Sequence, residues 1–213
     1  MTMPGPALFA RLQAAAFYRG LHETAAGFAG VAQGDRTWLD VGCGPGVFAR
    51  IAAARGFQVR GIDRDSGMIA TAERLAVMHG MTIEFAVSDL ADEVAEGRHD
   101  VVSASSLVVV TPDPRETLQH LLVLAKPDGR VIVIEAAPAM TRGRALRHWL
   151  RGGLGSGGAM LLLWAMARSG RALPDATFDD PRWTATQHPA LGGLANVWVL
   201  VARHALRDAP VIG

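Results

Sequence analysis

The chain has 213 residues, half of them hydrophobic, and a formal net charge of +1. This length and composition suit one domain with a sizeable core, and the near-neutral charge gives no overall attraction to nucleic acid. The single cysteine, Cys43, excludes an internal disulfide and is typical of a reducing cytoplasm. The longest apolar run, residues 159–167, is too short to span a bilayer, and no leader sequence is apparent. We therefore expect a soluble cytoplasmic protein.

The first predicted elements are one or two helices over residues 7–33, where apolar residues recur at helical spacing. These helices precede the first predicted strand. We expect residues 1–33 to form a helical cap over the turn that follows that strand.

A strand, a glycine-rich turn and a helix follow one another over residues 38–48, which read W-L-D-V-G-C-G-P-G-V-F. Gly42, Gly44 and Gly46 can adopt positive φ and let a ligand lie against the backbone. The helix that follows directs free N–H groups toward an anionic group. The spacing is G-x-G-x-G, with Val47 where the third glycine of the dinucleotide-binding pattern G-x-G-x-x-G would fall.

Two acidic residues accompany this turn. Asp40 places a carboxylate directly before it, which would repel a pyrophosphate but suits a ligand that carries an ammonium group. A second predicted strand, residues 57–62, ends at Asp63. An acidic residue about 20 positions beyond the glycines, at the end of the second strand, accepts hydrogen bonds from ribose hydroxyls. A solvated loop aspartate is the alternative. Met68 begins the next predicted helix and could contact an adenine.

At these residues the chain resembles the class I S-adenosylmethionine-dependent methyltransferases, whose first motif reads as D-V-G-C-G-P-G does here. Two further segments carry the resemblance: D-V-V-S-A-S-S-L-V-V-V-T-P-D at residues 100–113, and K-P-D-G at residues 126–129, a predicted turn into a fifth strand. The matches cover residues 36–136. The resemblance implies an α/β fold, the Rossmann-like methyltransferase fold. This is a three-layer sandwich whose seven-stranded sheet is mostly parallel and has one antiparallel strand.

The resemblance also implies the cofactor, S-adenosylmethionine, with S-adenosylhomocysteine as the product. Asp89, just past the predicted third strand, matches the family position that receives the adenine amino group. For Tyr18, in the N-terminal cap, packing in the core is an equally open alternative to cofactor contact. The expected cofactor-binding residues are Asp40, Gly42, Cys43, Gly44, Gly46, Asp63, Arg64, Met68, Asp89, Leu90, Ser105 and Tyr18.

The chain departs from the family pattern at Val109 and Val110, where histidine and aromatic residues are usual. This departure removes a common acid or base and leaves an apolar wall. The candidate catalytic residues on the expected edge of the sheet are Glu135, His148 and His188, each with a purely structural role as the alternative. We interpret the following histidines as surface residues: His79, His99, His120 and His204. We recognise no spacing of residues typical of a metal site.

Residues 138–178 are an expected insertion between the fifth and sixth strands of a single domain that spans residues 1–213. Six arginines and no acidic residue occur between Glu135 and Asp175. A glycine-rich bend at residues 152–158 precedes an apolar helix, and we expect the segment to act as a mobile lid, with Leu162 and Trp164 as pocket walls. The arginines would then rim the entrance, and a solvated basic face is the alternative. Strands six and seven are predicted at residues 182–187 and 196–204.

Together these features predict a methyltransferase that acts on a small, largely apolar and potentially anionic molecule by in-line methyl transfer. The acceptor would be a phenol, a quinone precursor, a natural product or a lipid head-group, and no nucleic acid is expected as partner. With a lipid acceptor, the arginines could contact an acidic membrane surface. Two alternatives stay open: a non-catalytic S-adenosylmethionine-binding regulator or subunit, and a nicotinamide-dependent oxidoreductase.

Overall fold

The computed structural model describes residues 5–93, 97–152 and 157–203. The helices of at least eight residues are α1 Pro6–Ala14, α2 Ala16–Gly27, α3 Val47–Ala54, α4 Ser66–Met78, α5 Pro114–Leu124, α6 Arg142–Arg151 and α7 Gly157–Arg168. The strands are β1 Thr37–Val41, β2 Gln58–Asp63, β3 Glu84–Val87, β4 His99–Ser105, β5 Ala125–Ala136, β6 Trp183–Ala190 and β7 Ala195–Ala202.

The strands form one seven-stranded sheet in the order β3-β2-β1-β4-β5-β7-β6. Neighbouring strands are parallel from β3 to β5, and β7 pairs antiparallel with both β5 and β6. The predicted fold class is therefore confirmed, including its single antiparallel strand. Because β1, β2 and β4 run in the same direction, the residues that follow them meet at one edge of the sheet.

The core lies on both faces of the sheet because successive strand residues point to opposite sides. Ile132 and Ile134 belong to the cluster under α2, α3 and α7, while Val131 and Val133 belong to the cluster under α5. The first cluster contains Trp38, which is fully buried and meets the ring of Phe48 edge-on at 5.2 Å between centroids. These two layers of helices hold β1 and its following turn firmly between them.

Element boundaries differ from the predictions at a few places. The predicted turn at residues 126–129 is assigned to β5, which begins directly after α5, and the pairing of β4 with β5 shifts register there. The insertion between β5 and β6 consists of α6, α7 and a short helical turn, Asp175–Phe178. No helix in the described ranges combines the length and apolar character needed to cross a membrane.

Candidate functional site

A cavity of about 460 Å³ lies at the carboxyl ends of β1, β2 and β4, bordered by α1 and α2 on one side and by α5 on the other. Open α/β sheets bind ligands at this edge, and the volume is typical of small-molecule sites. Eleven of the twelve predicted cofactor-binding residues border it: Asp40, Gly42, Cys43, Gly44, Asp63, Arg64, Met68, Asp89, Leu90, Ser105 and Tyr18. The structure brings them together, and their role in binding stays a prediction.

The glycine turn adopts the backbone that its sequence predicts. Gly42, Gly44 and Gly46 have φ values of +64°, +51° and +76°, a region that side chains with a Cβ rarely adopt. Gly46 is the predicted binding residue that does not border the cavity. A Cβ there would lie 3.0 Å from the Phe85 ring, so this glycine permits close packing against β3 instead.

The amino end of α3 has fewer unpaired N–H groups for a ligand than its sequence predicts. The backbone N–H of Val47 donates to the side-chain oxygen of Gln13 at 3.0 Å. Gln13 is buried on α1 and borders the cavity, so it ties the N-terminal cap to the glycine turn. No local pattern in the sequence indicates this role of Gln13, because its partner lies more than thirty positions away.

Asp63 fixes the glycine turn to the end of β2. One carboxylate oxygen accepts from the Gly44 N–H at 2.9 Å, and the other accepts from the Asp65 N–H at 2.9 Å. Each oxygen keeps a further lone pair, because a carboxylate can accept several hydrogen bonds. Asp63 can therefore hold the turn and still accept from ligand hydroxyls in the cavity that it borders.

Asp40 is a buried carboxyl whose two oxygens differ in their hydrogen bonds. It is 1% exposed, and its Oδ1 accepts from the Ser103 hydroxyl at 2.7 Å. Within the part of the chain that the structure describes, no hydrogen-bond partner reaches its Oδ2. Burial raises the pKa of the Asp40 carboxyl to about 7. A cationic ligand group beside Oδ2 would favour the ionised form, since an opposite charge stabilises a carboxylate.

We expect the affinity for S-adenosylhomocysteine to fall as the pH decreases below about 7. In the free protein Asp40 binds a proton below its pKa of about 7, and pairing with the ligand's ammonium group requires that proton to leave. Calorimetry at about pH 6 in two buffers of different ionisation enthalpy should therefore show proton release on binding. The control is Asp40→Asn, which should bind more weakly and show less proton release. An affinity independent of pH would contradict this role.

Asp89 and Leu90 also border the cavity. Asp89 follows β3, and its side chain accepts from the Ala91 N–H at 3.3 Å. Met68, in the first turn of α4, is buried and also borders the cavity. These residues surround the space in which the sequence analysis expects an adenine.

A hydrogen-bonded group of three side chains lies at the end of β4. The His22 Nδ1 lies 2.7 Å from the Tyr18 carbonyl oxygen, and its Nε2 lies 2.9 Å from the Ser105 Oγ. A carbonyl only accepts, so Nδ1 carries the hydrogen of the neutral ring and Nε2 accepts from Ser105. Burial lowers the pKa of His22 to about 4, which keeps the ring neutral near pH 7.

Burial also raises the pKa of Tyr18, and an interaction with the Ser105 hydroxyl works in the opposite direction. Both Tyr18 and His22 are 1% exposed, and both border the cavity. His22 is not among the residues predicted for the site. Its position one helical turn after Tyr18 was the available signal, because residues at that spacing share a helix face.

A second polar group lies beside the first, where β4 and β5 end. The Arg168 Nη2 donates to the Ser106 carbonyl oxygen at 3.2 Å, and the Glu135 Oε1 accepts from the Val109 N–H at 3.2 Å. Ser106 has a φ of +55°, an uncommon conformation for a residue with a Cβ. Ser106 and Arg168 border the cavity. Glu135, a predicted catalytic residue, is buried behind them and does not.

The remaining wall of the cavity is partly apolar. Leu107 and Val110 border it, whereas Val108 is fully buried and Val109 does not border it. The predicted apolar wall is therefore present at Val110, with Leu107 as its second member in place of Val109. His120 of α5 is exposed, as its interpretation as a surface residue predicts, and it also borders the cavity.

The other two predicted catalytic residues do not reach the cavity. His188 is on β6 and packs on Phe28, with 4.2 Å between ring centroids. His148 is on α6 and lies against Gly192, where an added Cβ would be 2.9 Å from its Nδ1. Both predictions assumed that every element ending at this edge of the sheet lies close to the site. The sheet order instead places β6 at the far end of the sheet from β1.

The two residues of the insertion that were predicted as pocket walls do not line the cavity. Neither Leu162 nor Trp164 borders the cavity. Trp164 is buried and meets Tyr18 edge-on at 5.8 Å between ring centroids, so α7 supports the cavity wall from behind. Of the six arginines, only Arg168 borders the cavity; those exposed to solvent are Arg142, Arg144, Arg147, Arg151 and Arg171.

The glycines of the predicted hinge at residues 152–158 also differ from the prediction. Gly158 lies against Trp149 so closely that an added Cβ would approach its ring to 1.9 Å, which indicates tight packing of α7 on α6. Gly153 and Gly155 lie outside the described residues. Motion of the insertion stays a prediction.

Comparison with known proteins places this cavity in a family context. A ubiquinone biosynthesis O-methyltransferase from Chromobacterium violaceum is 38% identical over 96 residues, which cover 44% of this chain and 41% of that protein. The matched region therefore spans less than half of the relative's length. A plantazolicin methyltransferase solved with S-adenosylhomocysteine has a TM-score of 0.63 at 14% identity, covering 92% of this chain and 90% of that one. This likeness establishes the fold. A [4+2]-cyclase has a TM-score of 0.52 at 25% identity, covering 57% of this chain and 46% of that one.

Residues 10–168 match the family described as a methyltransferase domain, which is well over half of the chain. The matched region contains the glycine turn and the sheet edge that borders the cavity, and it ends at Arg168. The chain therefore belongs to the methyltransferase-domain family and has the Rossmann-like class I fold.

Proposed function

We propose that this protein transfers a methyl group from S-adenosylmethionine to an oxygen of a small, largely apolar phenol. The observation that carries the proposal is the composition of one cavity. Its first end combines the glycine turn with Asp40 and Asp63, and its second end combines apolar side chains with the Ser105–His22 hydrogen bond. The name of the ubiquinone biosynthesis O-methyltransferase supports oxygen as the acceptor atom and a quinone precursor as the acceptor class.

The residues at the first end fit S-adenosylmethionine. The unpartnered Asp40 Oδ2 suits its ammonium group, and the free lone pairs of Asp63 suit ribose hydroxyls. Met68, Asp89 and Leu90 would border the adenine. When bound, the cofactor supplies a methyl group on a sulfonium, which an oxygen nucleophile can attack.

The residues at the second end would position the acceptor and take its proton. Leu107 and Val110 exclude water, and they oppose no charge that the reaction creates, because the sulfonium charge disappears during transfer. The Ser105 hydroxyl borders the cavity and already donates to the His22 Nε2. A phenol proton passed to Ser105 could therefore move to the imidazole. We name Ser105 as the residue that contacts the acceptor, and His22 as the proton acceptor that acts through it. Because burial lowers the pKa of His22 to about 4, it is a weak base, and the rate should depend on the acidity of the phenol.

The proposal is tested by product formation. We expect the purified protein, incubated with S-adenosylmethionine and a panel of phenols, catechols, amines and thiols, to produce S-adenosylhomocysteine and an O-methylated phenol. Mass spectrometry identifies the methylated atom. Transfer restricted to amines or thiols would contradict the assignment of oxygen. Binding of a nicotinamide cofactor without binding of S-adenosylhomocysteine would contradict the whole proposal.

One structurally similar protein is named a [4+2]-cyclase and not a methyltransferase. This favours one alternative for the present chain, in which the cofactor is bound and no methyl group is transferred. A regulator or subunit of this kind would bind S-adenosylhomocysteine tightly and give no turnover with any acceptor. The same two assays separate it from the methyltransferase, since one measures the cofactor site and the other measures transfer.

A cytoplasmic location and a peripheral contact with an anionic membrane also belong to this proposal. Leu146 and Leu150 of α6 are 42% and 57% exposed. They stand among the exposed arginines of the same helix, a combination that binds membrane surfaces. Co-sedimentation with anionic vesicles, and its absence with neutral ones, would support the contact.

A further inference from the structure

One arginine of the insertion differs from the other five because it is buried at the cavity. Arg168 is 7% exposed and ends α7, where its guanidinium lies beside the carboxyl end of β4. Burial lowers its pKa from the ordinary value, which shows that its charge is poorly solvated. A buried charge requires a partner, because removal from water is costly.

The partners that the described residues offer to Arg168 are incomplete. One guanidinium nitrogen donates to the Ser106 carbonyl oxygen at 3.2 Å, and the Nε has no hydrogen-bond partner. The buried hydroxyl of Ser106 and the Oε2 of Glu135 also lack one. Buried polar atoms in folded proteins are almost always paired. Two of these atoms, the Arg168 Nε and the Ser106 hydroxyl, belong to residues of the cavity wall and can donate, which indicates that a ligand completes their hydrogen bonds.

Glu135 does not neutralise Arg168. The described residues form no ion pair between the two side chains within 4.0 Å, although the Arg168 charge acts on the Glu135 carboxyl. Burial raises the pKa of Glu135 to about 7, so the carboxyl is partly protonated near neutral pH. The Arg168 guanidinium therefore keeps hydrogen-bond donors at the cavity wall that an anionic group can use.

We propose that Arg168 and the Ser106 hydroxyl bind an anionic group, a carboxylate, on the methyl acceptor. This inference rests on the proposed methyl transfer to oxygen. Ser105 and Ser106 are neighbours in the chain, so the acceptor hydroxyl and the acceptor carboxylate would both lie at the end of β4. The acceptor class that fits is a small hydroxylated aromatic carboxylate. A planar guanidinium suits it because such a group recognises carboxylates by paired hydrogen bonds.

The test compares two acceptors that differ only in charge, protocatechuate and its carboxamide. Their binding to the protein saturated with S-adenosylhomocysteine is measured by calorimetry, so the result does not depend on turnover. In the unmodified protein we expect protocatechuate to bind at least about tenfold more tightly than the amide. Arg168→Gln should remove that preference, and Arg168→Lys should restore part of it. Arg171→Gln is the matched control, because Arg171 is exposed and does not border the cavity.

Three results would overturn the inference. If Arg168→Gln weakens S-adenosylhomocysteine about tenfold and leaves both acceptors unaffected, the anion bound is the cofactor's own carboxylate. If the variant weakens both acceptors equally, with a lowered melting temperature, Arg168 serves the fold alone. Methyl transfer to uncharged phenols without any preference for the carboxylate would contradict the inference and leave the proposed function intact.

Discussion

We expect the Gly44→Val variant to lose measurable binding of S-adenosylhomocysteine, with a dissociation constant raised about a hundredfold or more. Gly44 has a φ of +51°, and a β-branched residue is strongly disfavoured there. An added Cβ would point toward α1, 3.3 Å from the Gln13 amide nitrogen and 3.6 Å from the Phe9 ring. The turn would have to move, and with it the Gly44 N–H that holds Asp63. Calorimetric titration measures the loss.

The matched control for this variant is Gly80→Val. Gly80 has a φ of +64° and open space around it, and it follows α4 away from the cavity. Both variants should therefore lose stability through backbone strain, which thermal melting records, and only Gly44→Val should lose the ligand. If Gly44→Val folds and keeps the affinity of the unmodified protein, the cofactor does not lie against the glycine turn.

The second large effect concerns the proton path. In His22→Gln we expect kcat to fall about a hundredfold or more with phenols of ordinary acidity, and far less with nitrophenols that are already ionised at the assay pH. A glutamine can still accept from Ser105 but cannot hold the proton. Removal of the hydroxyl in Ser105→Ala should give the same dependence on phenol acidity. The measurement is a plot of log kcat against acceptor pKa for each variant.

The control for these variants is His79→Gln. His79 makes the same type of contact as His22, from Nδ1 to a carbonyl oxygen four residues earlier at 2.7 Å, but it is exposed on α4. It should leave kcat unchanged. If His22→Gln lowers kcat by one factor for all phenols, the histidine supports the fold and carries no proton. Should His22→Gln prove unstable, His22→Asn tests the same point, because it can keep the contact to the Tyr18 carbonyl.

The sequence was sufficient for the sheet and for the cofactor end of the site. Buried strands, the positive φ of Gly42, Gly44 and Gly46, and the position of Asp63 all follow from local patterns, and each is present in the structure. These features depend on residues close together in the chain. The geometry of these features is therefore set mainly by nearby residues and not by the packing of distant segments.

The residues at the acceptor end of the cavity could not be predicted from local sequence patterns, because they are brought together by packing between distant segments. The prediction for His148 and His188 assumed that the segments after β5 reach the edge of the sheet where the cavity lies. His188 does not reach the cavity, because β6 pairs with β7 at the far edge of the sheet. His22 and Arg168 become important because α2 and α7 fold against the end of β4 and bury them. In sequence both resemble ordinary surface residues. Their burial follows from contacts across 62 or more positions.

The thiol of Cys43 gives the glycine turn a built-in chemical reporter. It is 4% exposed, and burial raises its pKa well above the ordinary value. Only the thiolate reacts readily with alkylating reagents and peroxide, so the closed turn should resist both. Since Cys43 is the chain's only cysteine, its labelling rate would measure how often this one turn opens. The free energy of local opening at the cofactor site is thus accessible without any introduced probe.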